Sequence, residues 1–217
     1  MSSIVQHAPR FEPAEAVRIA QELFGLDVSA QPLPSERDQN FRLTTGSGEA
    51  YVLKVANATE RVEVLEFQNE AMMHIARRRA SLGCTTALCS EVCPSLGGET
   101  IATVARTDGA THFVRLLTYL PGKPLAKVKP HDADLLFSLG RFLGEIDLLL
   151  EDFDHPGTHR DFHWDLKNAG RVVDRYSDLI EGPDKRGRVQ RLRERFQAEI
   201  APQLPALRTR VIHNDGN

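Results

Sequence analysis

The chain closes on Val211-Ile212-His213-Asn214-Asp215-Gly216-Asn217, an H-x-D triplet directly after an apolar pair. An aspartate at the end of an apolar strand can orient an attacking hydroxyl and accept its proton as a phosphoryl group moves. Asp215 is therefore the candidate catalytic residue, and His213 is expected to brace its loop rather than react. Lys54 lies inside the apolar run Tyr51-Val52-Leu53-Lys54-Val55, where a buried ammonium needs a partner. Glu70 follows in the helical string Phe67-Gln68-Asn69-Glu70. A strand lysine paired with a glutamate from the next helix is one way to hold a nucleotide's phosphates. Each group alone also fits a bland account: an edge-strand lysine, a solvated glutamate, a chance H-x-D. Their order along the chain makes them informative.

A second pair of triplets competes with the first. His159-Arg160-Asp161 and His163-Trp164-Asp165 both spell H-x-D. Phosphoryl-transfer loops of this type place a metal-binding asparagine five residues after the aspartate. Those positions hold Leu166 and Gly170, and Asn168 is only three residues beyond Asp165. The preceding Asp154-His155-Pro156-Gly157-Thr158 is a loop, not an apolar strand. The segment is read as structure around the lone Trp164, with Asp161 and Asp165 as candidates to line an acceptor site.

The elements that must position these residues follow from periodicity. Ala16, Ala20, Leu23 and Phe24 form one stripe of a helix from Phe11 to Phe24, with Pro13 near its start and Gly25 past its end. From Gln31 the pattern becomes strand-like. Phe41–Thr44 and Tyr51–Val55 flank Gly46-Ser47-Gly48 and predict a β-hairpin. Val62 to Arg79 is helical. Glu91-Val92 and Thr100–Ala105, around Gly97-Gly98, predict a second hairpin, and Thr111 to Leu120 a further apolar strand. Pro121-Gly122-Lys123-Pro124 breaks the chain. Asp132 to Leu150 then repeats leucines at three and four, a stripe wide enough to predict a helix buried in a helical lobe. Lys185–Arg195 carries six basic residues on an amphipathic helix, whose charged face is read as solvated.

The 217 residues carry 27 basic and 30 acidic groups, a net −3, with 41% apolar and 26% charged residues. Disorder is excluded by that balance. A slightly acidic total argues against a nucleic-acid partner, and no apolar run is long enough to predict a membrane span. The N-terminal MSSIVQHAPRFEP has no secretory core, so a cytoplasmic location is expected. Cys84, Cys89 and Cys93 read as reduced packing residues, and no metal site is expected from them.

Taken together, Leu33-Pro34-Ser35-Glu36-Arg37-Asp38-Gln39-Asn40-Phe41, Lys54 in its strand, Glu70, Tyr119-Leu120-Pro121-Gly122 and His213-Asn214-Asp215 resemble the aminoglycoside phosphotransferase/choline kinase family, within it the hydroxylysine kinase-like branch. The resemblance covers nearly the whole chain. It implies an α+β, two-lobed protein-kinase-like fold. Residues 1–120 would form the nucleotide-binding lobe, an antiparallel sheet plus helix with its hinge, and residues 121–217 a mostly helical, incomplete second lobe. It implies that Ser35 to Asn40 cover the nucleotide phosphates, with Ser35, Gln39 and Asn40 contacting them alongside Lys54 and Glu70. Thr118 to Leu120 would be the hinge that meets the base. ATP or GTP with Mg2+ is the implied cofactor, and a small hydroxyl- and amine-bearing metabolite the implied substrate: hydroxylysine first, then aminoglycoside, choline, ethanolamine and homoserine.

In this chemistry Mg2+ is held by an asparagine and an aspartate beyond the catalytic aspartate, and Asn217 is too close to Asp215 to be that asparagine. The expectation is thus of a truncated kinase with little or no phosphotransfer activity of its own. The alternative is a kinase-like module that binds nucleotide while fused to, or docking, an aminotransferase-type enzyme.

Overall fold

The computed structural model describes residues 8–83, 89–106 and 109–214. Pro13 sets the first turn of α1 (Pro13–Phe24), Glu12 and Glu15 close a reciprocal capping box, and Gly25 ends the helix in the left-handed region at φ 68°. Strands β1 (Val28–Leu33), β2 (Gln39–Thr45) and β3 (Ala50–Val55) form an antiparallel meander. The sheet thus begins three residues earlier than the strand pattern suggested.

The helix α2 (Val62–Ser81) precedes β4 (Val92–Cys93), β5 (Ala102–Ala105) and β6 (Thr111–Thr118). β3 pairs with β6. The expected second hairpin does not form as a pair. β4 pairs with β6 at Leu116 and Leu117, and β5 pairs with β6 from Thr111 to Val114. Between them the turn closes on itself, with Ser95 N donating to Glu99 O at 2.8 Å. A long β6 offers a row of backbone groups that two short strands satisfy in succession.

Strand alternation divides the sheet into two faces of opposite character. Phe41, Leu43, Leu53, Val55, Val114 and Leu116 pack with Ala16, Ile19 and Ala20 of α1 into the main core. On the other face, Lys54 lies between Asn40 of β2 and Arg115 of β6 in register. A one-residue slip would exchange the apolar and polar sets, so the buried face holds the register.

A second cluster joins Ile75 of α2 to Ile146, Leu149 and Leu150, with Phe142, Phe153 and Val211 packed against it. Here α2 meets α3 (Ala133–Leu149). Arg78 and His74 reach Asp152 at 2.7 and 3.1 Å, and Arg79 pairs with Glu145. The wide leucine stripe of α3 is not buried throughout: Leu136 is 51% exposed, because α2 covers only the last turns. Asp132 caps this helix by accepting from Leu135 N at 2.8 Å. Asp132→Ala is expected to lower stability by about 1 kcal/mol in urea unfolding.

The compact units are Met1–Gly157 with Val211–Asn217, and Thr158–Arg210. They part at Gly157, whereas the lobe boundary expected from the sequence falls at 120/121; α3 joins the sheet unit because α2 packs on it. The second unit contains α4 (Ala169–Tyr176) and α5 (Pro183–Arg195), and α5 carries the basic stretch with no buried residue.

Candidate active site

Asn40 sits opposite Lys54 because both belong to the polar face of the β2–β3 pair. Lys54 Nζ donates to Asn40 Oδ1 at 3.1 Å, Asn40 Nδ2 donates to Ser35 Oγ at 2.9 Å, and Ser35 Oγ donates to Leu33 O at 3.2 Å. One chain of hydrogen bonds therefore runs from the Ser35–Asn40 loop to the lysine. The loop is anchored from behind by buried Asn57. Its N–H donates to Asp38 Oδ1 at 3.0 Å and its Nδ2 to Arg37 O at 3.3 Å, while Arg37 pairs with Glu60 at 2.9 Å. Asn57 had no sequence signal beyond being a lone amide after an apolar strand.

The electrostatics of this face are cationic. Burial pushes the Lys54 ammonium below its ordinary value, the neighbouring Arg115 charge lowers it further, and Asp38 opposes both. Burial likewise pushes Arg115 down to about 10, against Asp38 and Glu60. Arg115 was not singled out in the sequence, and only the β3–β6 pairing brings it beside Lys54.

Gln39 departs from its expected place. It lies opposite Val55, on the α1 face, where its Oε1 accepts from Phe11 N at 2.7 Å and its Nε2 donates to Phe11 O at 2.8 Å. Alternation along β2 separates it from Asn40, and its amide fastens the segment leading into α1. The Lys54–Glu70 pair is not formed either. Glu70 is exposed, 3.9 Å from His155 Nε2. Leu65 and Asn69 face the sheet, Glu70 is turned about 100° from Asn69, and Arg115 holds the space beneath by donating to Asn69 Oδ1 and Gln68 Oε1, each at 2.8 Å.

At the expected hinge, Thr118 N donates to Glu91 O at 2.9 Å, and Thr118 Oγ1 accepts from Glu91 N at 2.8 Å. The N–H and hydroxyl of Thr118 are thus engaged within the sheet. Leu120 is exposed two residues on, and between them Tyr119 carries the Arg42 guanidinium 4.5 Å above its ring.

Val211 packs into the second cluster, while His213 is exposed and makes no bracing contact among the described residues. Asp215 lies outside the described residues, as does Cys84. Cys89 and Cys93 are free, partly buried thiols.

The competing triplets organise a turn. Arg171 clamps Asp161 at 2.7 and 2.5 Å, and this guanidinium holds the Asp161 carboxyl below the usual carboxylate range. Asp165 accepts from Lys167 N at 3.0 Å and pairs with its ammonium at 3.0 Å. Trp164 is not their packing centre: it is 71% exposed, edge-on to His163. Within the same unit, a cavity of about 450 Å3 has Arg171 and Arg193 in its walls, and Arg193 is held by Asp174 at 2.6 Å.

An antiparallel sheet, with one face packed on α1 and a lysine on the face that meets α2, followed by helices, defines an α+β protein-kinase-like fold. An amicoumacin kinase solved with AMP-PNP and Ca2+ superposes with a TM-score of 0.59 over 92% of this chain and 55% of its own, at 15% identity. A microcompartment-associated aminopropanol kinase gives 0.52 over 75% and 48%, also at 15% identity. Residues 29–217 match the phosphotransferase enzyme family (APH), and the chain belongs to that family. The hydroxylysine kinase of Mus musculus is 34% identical over 96% of this chain and 58% of its own length. That of Danio rerio is 30% identical over 99% and 61%.

The chain therefore spans about three fifths of the length of these curated relatives. The expectation of an inactive fragment rested on where the chain stops and finds no support in these relatives, nor does a fused aminotransferase-type partner. Among the described residues, no helix is long and apolar enough to cross a membrane.

Proposed function

We propose that this chain forms the nucleotide-binding lobe (1–120) and part of the helical lobe (121–217) of a small-molecule kinase. It transfers the terminal phosphoryl group of ATP or GTP to the hydroxyl of an amine-bearing metabolite, hydroxylysine foremost. The observation that carries this reading is the half-buried Lys54 ammonium, wired through Asn40 to Ser35 and set beside Arg115. Two adjacent cations, with Asp38 acting on both and Glu60 on Arg115 but neither carboxylate bonded to them, form a site that a polyphosphate neutralises.

In this scheme Lys54, Ser35 and Asn40 meet the phosphates, and the backbone near Leu120 meets the base. Glu70 has no contact with Lys54 in this arrangement, and Gln39 supports the loop from the opposite face. Asp215 holds the acceptor hydroxyl and takes its proton. Mg2+ is the cation that such phosphates carry; among the described residues no three His, Cys, Asp or Glu side chains converge to hold it. A cytoplasmic location, where ATP is abundant, belongs to the same proposal.

Acceptor choice is tested by nucleotide consumption with hydroxylysine, choline, ethanolamine, homoserine and an aminoglycoside, each with ATP and with GTP. Hydroxylysine is expected to give the highest rate, and a panel without any stimulation over background would remove the proposal.

The lysine's charge also predicts a pH dependence. The protonated ammonium holds phosphate, and its folded-state value lies below the ordinary 10.5. ATP affinity is therefore expected to be highest on the acid side of that lowered value and to fall as pH rises through a point below 10.5. Lys54→Met should remove that step from the calorimetric profile.

A further inference from the structure

Arg115 is a buried cation beside the phosphate site to which the reaction scheme assigns no contact or step of its own. It is 3% exposed and stands opposite Lys54 in register, with Cα atoms of such a pair about 5 Å apart, so both side chains leave the same face of the sheet. Among the described residues its guanidinium is held by α2: Gln68 Oε1 and Asn69 Oδ1 at 2.8 Å each, and Leu65 O at 3.4 Å. Asn69, itself buried, passes the contact on by donating to Thr100 O at 3.1 Å. None of these acceptors is a carboxylate.

The acidic groups that act on Arg115 do so through space. Asp38 is bonded to Asn57 N, and Glu60 is paired with Arg37. A buried charge solvated only by neutral dipoles remains available to an anion beside it. The same clamp sits where a lysine–glutamate pair was expected to join α2 to the sheet, and Glu70 is turned away from it.

We infer that Arg115 is a positioning residue for nucleotide phosphates: it fastens α2 to β6 in place of the Lys54–Glu70 pair, and its unneutralised charge stands with Lys54 to favour the more highly charged nucleotides. The inference rests on the reading of the Lys54 face as the phosphate site. Its consequence is graded. Affinity should climb steeply from adenosine through AMP to ATP, and Arg115 should account for part of the slope.

The experiment is calorimetric titration of the chain with adenosine, AMP and ATP at several NaCl concentrations, for the wild type, Arg115→Lys and Arg115→Met. Arg115→Met is expected to lose about tenfold in ATP affinity, a hydrogen-bonded charge's worth, with adenosine held within about twofold and a shallower salt dependence. Arg115→Lys keeps a charge but cannot hold Gln68 and Asn69 together, so the salt dependence should recover while the affinity recovers only in part.

ATP affinity unchanged in the folded variants, or adenosine falling in step with ATP, would overturn the inference, the latter marking Arg115 as merely structural. If Arg115→Met does not fold, Gln68→Ala removes one clamp partner at a partly exposed position, and unchanged ATP affinity there overturns it equally. A wild-type chain that binds no ATP sinks the phosphate-site reading and this inference together, whereas ATP binding indifferent to Arg115 sinks only the inference.

Discussion

Replacing Asp215 with asparagine is expected to slow phosphoryl transfer by about 10²–10⁴-fold, the range of a lost general base, while ATP affinity stays unchanged. Asparagine keeps the size and a hydrogen-bonding oxygen of the side chain but cannot take the acceptor's proton. The separation of rate from affinity follows from where the residues belong. In sequence Asp215 follows Val211 by four positions, and Val211 is packed in the cluster shared by α2 and α3, whereas the phosphate contacts are assigned to Lys54, Asn40 and Ser35 on the sheet. Acceptor-dependent ADP release, with ATP affinity measured on the same preparation, checks it. A variant that keeps its rate would remove Asp215 from the chemistry. The Arg171–Asp161 and Lys167–Asp165 pairs already engage the alternative aspartates in organising their own turn.

Phe41→Ala carries the largest expected effect on stability, about 3–5 kcal/mol for a fully buried phenylalanine. Phe41 is 0% exposed, between Pro32 and Leu53 in register, and packed in the cluster that joins α1 to the sheet. Such a loss is a large part of the roughly 5–15 kcal/mol that holds a domain together. It should also reach the site, because Asn40 precedes Phe41 on the same strand and points to the opposite face. Urea unfolding measures the first effect, and Phe41→Leu, which leaves a smaller cavity, should recover most of it. A loss below about 1 kcal/mol in Phe41→Ala would contradict the placement of the core.

Local pattern was enough for the elements that carry their own punctuation. Pro13 and Gly25 bracket α1, Asp132 caps α3, and the Gly46–Gly48 turn joins β2 to β3. Lys54 was recognisable as the odd residue in an apolar strand. The identity of its neighbour was not, since Arg115 arrives through a pairing across some sixty residues of sequence. Nor does helical periodicity state the rotation of α2, which turns Asn69 to the sheet and Glu70 outward.

Gln39 is a different case, because its signal was present. Counting by twos from Phe41 and Leu43 places Gln39 on the core face and Asn40 on the other. The stripe of α3 shows which residues favour burial but not what covers them, and α2 reaches only its final turns. β4, two residues long, is defined by its partner β6 and has no period of its own.

The central claim, that the Lys54 face binds nucleotide phosphates, is tested most directly by titrating the chain with Mg–ATP beside its Lys54→Met variant. One saturable site is predicted, with the variant weaker by about tenfold or more for the lost charge-assisted contact. Absence of binding by the wild-type chain, or equal affinity in a folded Lys54→Met, would contradict the account.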